Sequence, residues 1–313
     1  MSVGLFNDHS ALLHKNPYDS SHPEKPERIT KILNKFDESG LNIYFSHFSG
    51  RHATRSELLK IHSHKYIDIL TSLASQKDRV EFMSKLDDVY VNEYSVFSAL
   101  TSAGMSIDAA NALLLNKLKH AIVLTRPPGH HAHKDHAAGF CLINNIALAA
   151  SVIADAEKKV AIFDWDVHHG DGTVNIVNGK KNIIMITIQR YDKGKFYPAT
   201  GKTTTQNNIM SIGFNGSING HQYIKLFNEK VLPVFTKYKP DVICISAGFD
   251  TSRNDKMGGC ELDEEDYKYM TSKLMKIAPQ ILVCLEGGYD LESLSCGMRG
   301  VAYELLKDVI YKK

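Results

Sequence analysis

One pattern constrains this chain more than any other: short, uniformly apolar runs alternate with stretches of helical periodicity. The runs are Ala121–Leu124, Val160–Phe163, Ile183–Ile188, Ile209–Gly213, Val242–Ser246 and Ile281–Leu285. Pro26 and Glu27 open a helical stretch carrying Ile29, Ile32, Leu33 and Phe36, with Gly40 as its stop. Further helices are expected over 56–75, with a break near His62 and His64, over 140–157, 221–238 and 262–278, and after Tyr289. A long buried helix over 92–118 follows from Val96, Leu100, Ala103, Ile107, Ala110 and Leu114. Strands that are apolar on both sides need cover on both faces, so the expectation is α/β: a central, mostly parallel sheet between helical layers. Residues 1–23 read only as an apolar-then-polar lead into HPEKPERI. With no repeat, low-complexity tract or linker, residues 1–313 read as a single domain.

In such sheets ligands bind beyond the carboxyl ends of the strands, and four of these runs end in polar motifs. The first leads into Arg126-Pro-Pro-Gly-His130-His131, and the second into Asp164-Trp-Asp166-Val-His168-His169-Gly-Asp171. The fifth and sixth lead into Ala247-Gly-Phe-Asp250 and Glu286-Gly-Gly-Tyr289-Asp290. Because strand side chains alternate, Asp164, Asp166 and His168 can share one side of the sheet's end. Three carboxylates and two imidazoles within eight residues repel or need costly desolvation unless a cation is present.

The residue types imply hydrolytic chemistry. Asp166, His168 and Asp250 can hold one divalent metal with positions left open for water and substrate. Such a metal acidifies water and polarises a carbonyl. His130 or His131 can take a proton and return it to a leaving amine, with Asp164 and Asp171 each orienting one imidazole. Tyr289 can donate to a developing oxyanion. The sum is metal-assisted amide hydrolysis. His62 and His64, two residues apart on a polar segment, read as surface or capping groups.

Composition narrows the class further. An apolar fraction of 43%, 23% charged residues and a net charge of +2 are ordinary for a globular protein. Without a basic block, no nucleic-acid footprint is indicated. Five cysteines lack any CxxC pair, which argues against a disulfide framework or a zinc knuckle. The N-terminus lacks signal-peptide character, and no apolar run approaches the roughly 20 residues that span a bilayer. An intracellular, cytoplasmic protein is expected, with nuclear residence open and oligomeric state unreadable.

RPPGHHA, GFCLINN, DWDVHHGDGT, SAGFD and LEGGYDL resemble the signature set of the zinc-dependent histone deacetylases, nearer class II than class I. That superfamily includes acetoin-utilisation proteins and acetylpolyamine amidohydrolases and shares its three-layer α/β fold with arginase. The resemblance runs from about residue 18 to 300. It implies Zn2+ on Asp166, His168 and Asp250, although so oxygen-rich a set also suits Fe2+ or Co2+. It makes His130 and His131 the acid–base pair, His131 favoured as base, with Asp164 and Asp171 as their partners and Tyr289 as oxyanion donor. Gly139 and Phe140 would line one wall of an acyl-lysine tunnel and Tyr197 the other. A structural K+ would take oxygens from Asp164, Asp166, His168 and Thr187.

Departures from the family pattern bear on specificity. Tyr197 stands where Phe is common, and Gln189 where His is usual. Met257 replaces a usual Leu; polyamine-selective relatives place a Glu there to attract a cationic amine. Asp88 corresponds loosely to a rim residue that holds the substrate backbone. The resemblance implies removal of acetyl or other acyl groups from protein lysines, without implying histones. Deacetylation of a small amine such as an acetylpolyamine, or an inactive acetyl-lysine binding module, are the alternatives.

Overall fold

The computed structural model describes residues 2–311. Nine strands form one sheet: β1 (Ser2–Phe6), β2 (Phe45–Phe48), β3 (Leu118–Val123), β4 (Val160–Asp164), β5 (Ile183–Arg190), β6 (Thr204–Gln206), β7 (Ile209–Phe214), β8 (Val242–Ala247) and β9 (Gln280–Leu285). Their order is β2-β1-β3-β9-β8-β4-β5-β7-β6. Neighbours run parallel throughout, except β6 against β7. The four strands that end in polar motifs, β3, β9, β8 and β4, are therefore adjacent at the centre of the sheet.

The helices are α1 (Glu27–Glu38), α2 (Arg55–Leu58), α3 (His64–Thr71), α4 (Gln76–Met83), α5 (Ser95–Leu114), α6 (Asn145–Asp155), α7 (Asp171–Val177), α8 (Gly220–Leu226), α9 (Leu232–Tyr238), α10 (Glu264–Leu274) and α11 (Leu291–Ile310). Helices α1 and α8 to α11 cover one face, and α2 to α7 the other. Strand β4 shows why both layers are needed. Its Ala161 and Phe163 enter the first core, while Val160 and Ile162 enter the second. The alternation continues past the strand: Trp165 and Val167 join the first core, which leaves Asp164, Asp166 and His168 on the other side. No helix among the described residues is long and apolar enough to cross a membrane.

Residues 56–75 break near His62 and His64, as expected: Ser63 adopts extended backbone and caps α3 by accepting from Tyr66 N. Two local expectations need correction. The helix expected over 140–157 begins at Asn145, since Phe140 lies at φ 66° and Asn144 provides the cap. Residues 2–6 form a strand inside the sheet, pairing on both sides with β2 and β3. Its few apolar residues at the chain start lacked any flanking signal.

His62 is buried rather than superficial. Its Nδ1 lies 2.9 Å from the His133 carbonyl, and its Nε2 accepts the Asn144 N–H at 3.2 Å. Burial pushes it down to about 4. Burial, with Arg126 adding, lowers His14 to about 3, and burial with Lys119 does the same for His120. All three fold neutral, whereas the unfolded chain protonates them near pH 6.5. Their contribution is fully present above that pH and is lost as pH falls through 4 towards 3. His62 alone accounts for a loss on the order of 3 kcal/mol. The urea-midpoint advantage of wild type over His62→Gln should therefore shrink as pH falls from 6.5 towards 4. A difference that stays constant down to pH 4 would refute this account.

Candidate active site

The β4 end and the loop after it deliver the first donors. Asp166 and Asp250 are wholly buried. His168 Nδ1 lies 3.1 Å from Asp166 Oδ1 and 3.0 Å from Asp250 Oδ2. One donor atom from each of Asp166, His168 and Asp250 falls within 4.8 Å of the others, so the three can hold a metal ion. The donor chemistry fits a cation. Burial and the neighbouring Asp166 push Asp250 up to about 7, because two dry carboxylates resist sharing a charge. His168 is driven up to about 10; burial opposes this, but the two acids outweigh it. A proton thus stands where a divalent ion fits. The backbone is shaped to match: a Cβ at Gly287 would lie 2.5 Å from oxygens of both acids, and one at Gly248 would lie 2.0 Å from Asp166 Oδ2.

Two imidazoles from the loop after β3 flank this cluster, with ring centroids 4.1 Å apart. His130 Nδ1 donates to Asp164 Oδ2 at 3.1 Å and His131 Nδ1 to Asp171 Oδ1 at 2.7 Å, as the pairing predicted. Their environments diverge. Burial and the adjacent His130 bring His131 down to about 4, despite Asp171. For His130 burial acts in the same direction, but Asp166 and Asp164 outweigh it and hold the ring well above its ordinary value. The two rings are thus driven in opposite directions, His130 towards its charged form and His131 towards its neutral form.

Asp88, His131, Gly139, Phe140, His168, Tyr197, Met257 and Tyr289 line a cavity of about 120 Å³. All five expected tunnel residues line it. Gly139 has no substitute: at φ 48° its Cβ would sit 2.6 Å from the His131 ring and 3.0 Å from Tyr197. Met257 is part-exposed and Asp88 exposed, as suits a mouth. Thr187 is buried beside Asp164 in register.

Several contacts in this region were invisible in sequence. Arg28 is buried, donates from Nε to the Gly288 carbonyl at 2.7 Å and also to the Glu286 carbonyl, and sets its guanidinium over the Tyr289 ring at 5.2 Å. Its partner Glu24 also pairs with Arg126. Gln189 accepts from Thr187 at 2.8 Å and donates to the Gly201 carbonyl at 2.5 Å, which ties the Tyr197 loop to β5. His133 Nε2 donates to Asp171 Oδ2 at 3.1 Å, so one carboxylate serves two imidazoles. HPEKPERI was the only available signal for Glu24 and Arg28, and its charges resemble a solvated helix start.

Fold and site together define an α/β protein with a cluster able to hold a metal at the carboxyl edge of its sheet. Comparison with known proteins makes this specific. Residues 22–305 match the histone deacetylase domain family. Histone deacetylase 15 of Arabidopsis thaliana is 37% identical over 301 residues, covering 91% of this chain and 53% of that protein. Histone deacetylase HDA1 of Saccharomyces cerevisiae is 32% identical, covering 92% of this chain and 45% of that protein. The crystal structure of the HDA15 HD domain superposes with a TM-score of 0.91 at 34% identity, over 98% of this chain and 89% of that one. The chain belongs to the histone deacetylase family, and it spans about half the length of these curated relatives.

Proposed function

We propose that this chain is a metal-dependent amidohydrolase that removes acetyl, or other acyl, groups from lysine side chains of a protein or peptide. The observation that carries the reading is that His168, one donor of the Asp166, His168 and Asp250 cluster, lines one narrow cavity together with His131 and Tyr289. Asp166, His168 and Asp250 would hold Zn2+, with Fe2+ or Co2+ as alternatives that suit an oxygen-rich donor set. A bound divalent ion supplies Lewis acidity to water and acyl carbonyl. His131, neutral and held by Asp171, takes the water's proton. His130, held by Asp164, stabilises the charge that develops and can return a proton to the leaving amine. Tyr289 donates its hydroxyl to the oxyanion. The walls formed by Phe140 and Tyr197 exclude water from the lysine stem. The proposal also places K+ at Asp164, Asp166, His168 and Thr187, supported by the burial and register of Thr187. Because β1 lies within the sheet, residues 1–313 are read as one catalytic unit.

Met257 at the mouth carries no charge for a polyamine, which favours a peptide substrate. A side-by-side turnover assay tests this, using acetyl-lysine peptide and acetylated polyamine with Zn2+-loaded and chelated protein. Chelator-sensitive turnover of the peptide is expected. Turnover of the polyamine alone would overturn the substrate assignment. Activity on neither, with metal bound, would favour the binding-module alternative or a longer acyl group.

A further inference from the structure

Glu286 follows β9 directly and is wholly buried, yet its carboxylate is no donor of the metal cluster and hydrogen-bonds to neither ring of the tandem imidazoles, feeling His130 only through its charge. Oε2 accepts two main-chain N–H groups, from Gly129 at 2.7 Å and His130 at 3.0 Å. Oε1 accepts the Ser246 hydroxyl at 3.1 Å. Arg28 reaches the main-chain carbonyl of Glu286, not its side chain. These side-chain partners are neutral donors. A carboxylate kept dry on neutral donors is costly to bury, so its position calls for a reason beyond packing.

The partners supply one. Ser246 belongs to β8, Glu286 continues β9, and Gly129 and His130 lie on the loop after β3. One side chain thus ties three adjacent strand ends together. Thr125 adds a second stitch along the same seam, donating to the Leu285 carbonyl at 2.5 Å. Asp164 fixes the His130 ring through Nδ1, but a ring is only as well placed as the main chain that carries it. We propose that Glu286 is a positioning residue for the tandem imidazoles: it clamps the main chain of His130 while Asp164 orients the ring. The inference rests on the amidohydrolase reading above, since it assigns Glu286 a purpose within that reaction.

The geometry separates tether from charge. In Glu286→Gln the amide oxygen can take both N–H groups, and its NH2 can face Ser246, whose hydroxyl turns to accept. In Glu286→Asp the charge remains, but the acceptor is withdrawn by one methylene. In Glu286→Ala two buried N–H groups lose their acceptor. Small displacements of a catalytic group can cost about 100-fold in rate. On an acetyl-lysine peptide with metal-loaded protein, Glu286→Ala and Glu286→Asp should lower kcat by about 10–100-fold with KM little changed. Glu286→Gln should recover most of that loss. Metal content should match the wild type in all three.

Amide hydrogen exchange provides a readout independent of turnover. Exchange at Gly129 and His130 should quicken in the Ala and Asp variants and stay slow in Gln. Full activity in Glu286→Asp, or a Gln variant as impaired as Ala despite slow exchange, would overturn the proposal by showing that charge or neither matters. A raised KM with intact kcat would also overturn it. Should Glu286→Ala fail to fold, the Asp and Gln pair decides alone. If wild type itself does not hydrolyse the peptide, the functional reading fails, and the exchange contrast still decides whether Glu286 holds the loop.

Discussion

Tyr289→Phe is expected to lower kcat on an acetyl-lysine peptide by about 10²–10³ while metal content and KM stay near wild type. The phenol is suited to donate. Burial drives its ionisation well above the ordinary value; Arg28 opposes this, and Asp250 and Asp166 add to it, so the hydroxyl keeps its proton at neutral pH. Its placement does not depend on the hydroxyl. Asp255 Oδ2 accepts the Tyr289 N–H at 2.5 Å and the Asp290 N–H at 3.0 Å, Arg28 lies over the ring, and Phe140 meets it edge-on at 5.9 Å. The Phe ring should therefore sit where the Tyr ring does, and only the bond to the developing oxyanion is lost. A Phe variant with wild-type kcat would remove Tyr289 from the mechanism.

Asp250→Ala is expected to abolish metal retention. Its carboxylate is one of three donors, and its other oxygen accepts the Val167 N–H at 2.8 Å, which also fixes the loop that bears His168. Loss of an outer partner of a metal ligand commonly costs 10–100-fold in affinity, so loss of a ligand should exceed about 100-fold. Metal analysis after dialysis reads this directly, without any assay of turnover. The metal-free fold should survive, because the substitution also removes a buried carboxylate that repels Asp166. Full metal occupancy in the variant would show that the ion is held elsewhere.

What could be read from sequence, and what could not, divides along physical lines. The runs ending at Leu124, Phe163, Ser246 and Leu285 announced central strands because burial on both faces leaves an unbroken apolar signature. Their polar ends then had to lie at one edge, and the pairings of His130 with Asp164 and His131 with Asp171 followed. Strand β1 was missed because five residues at a chain start carry too little pattern. The break near His62 and His64 was legible, but the cap that makes it, the Ser63 side chain, was not. The burial of Arg28 and Glu24 and the contacts of Glu286 were unreadable for another reason. A charged side chain looks solvated in sequence, and its burial is decided by partners far along the chain, such as Gly288 for Arg28 and Gly129 for Glu286.

The glycines around Asp166 and Asp250 imply an unusual map of mutational tolerance. Gly248 and Gly287 carry no functional group, yet a single added methyl at either would occupy the space of the ligand oxygens. A saturation screen scored on activity should find these two silent positions as intolerant as Asp166 or Asp250 themselves. Tyr197 and Met257, which face the cavity, should accept a broader set of residues. Intolerance would then outline the space that the ligand carboxylates need, and chemically inert residues would mark its boundary.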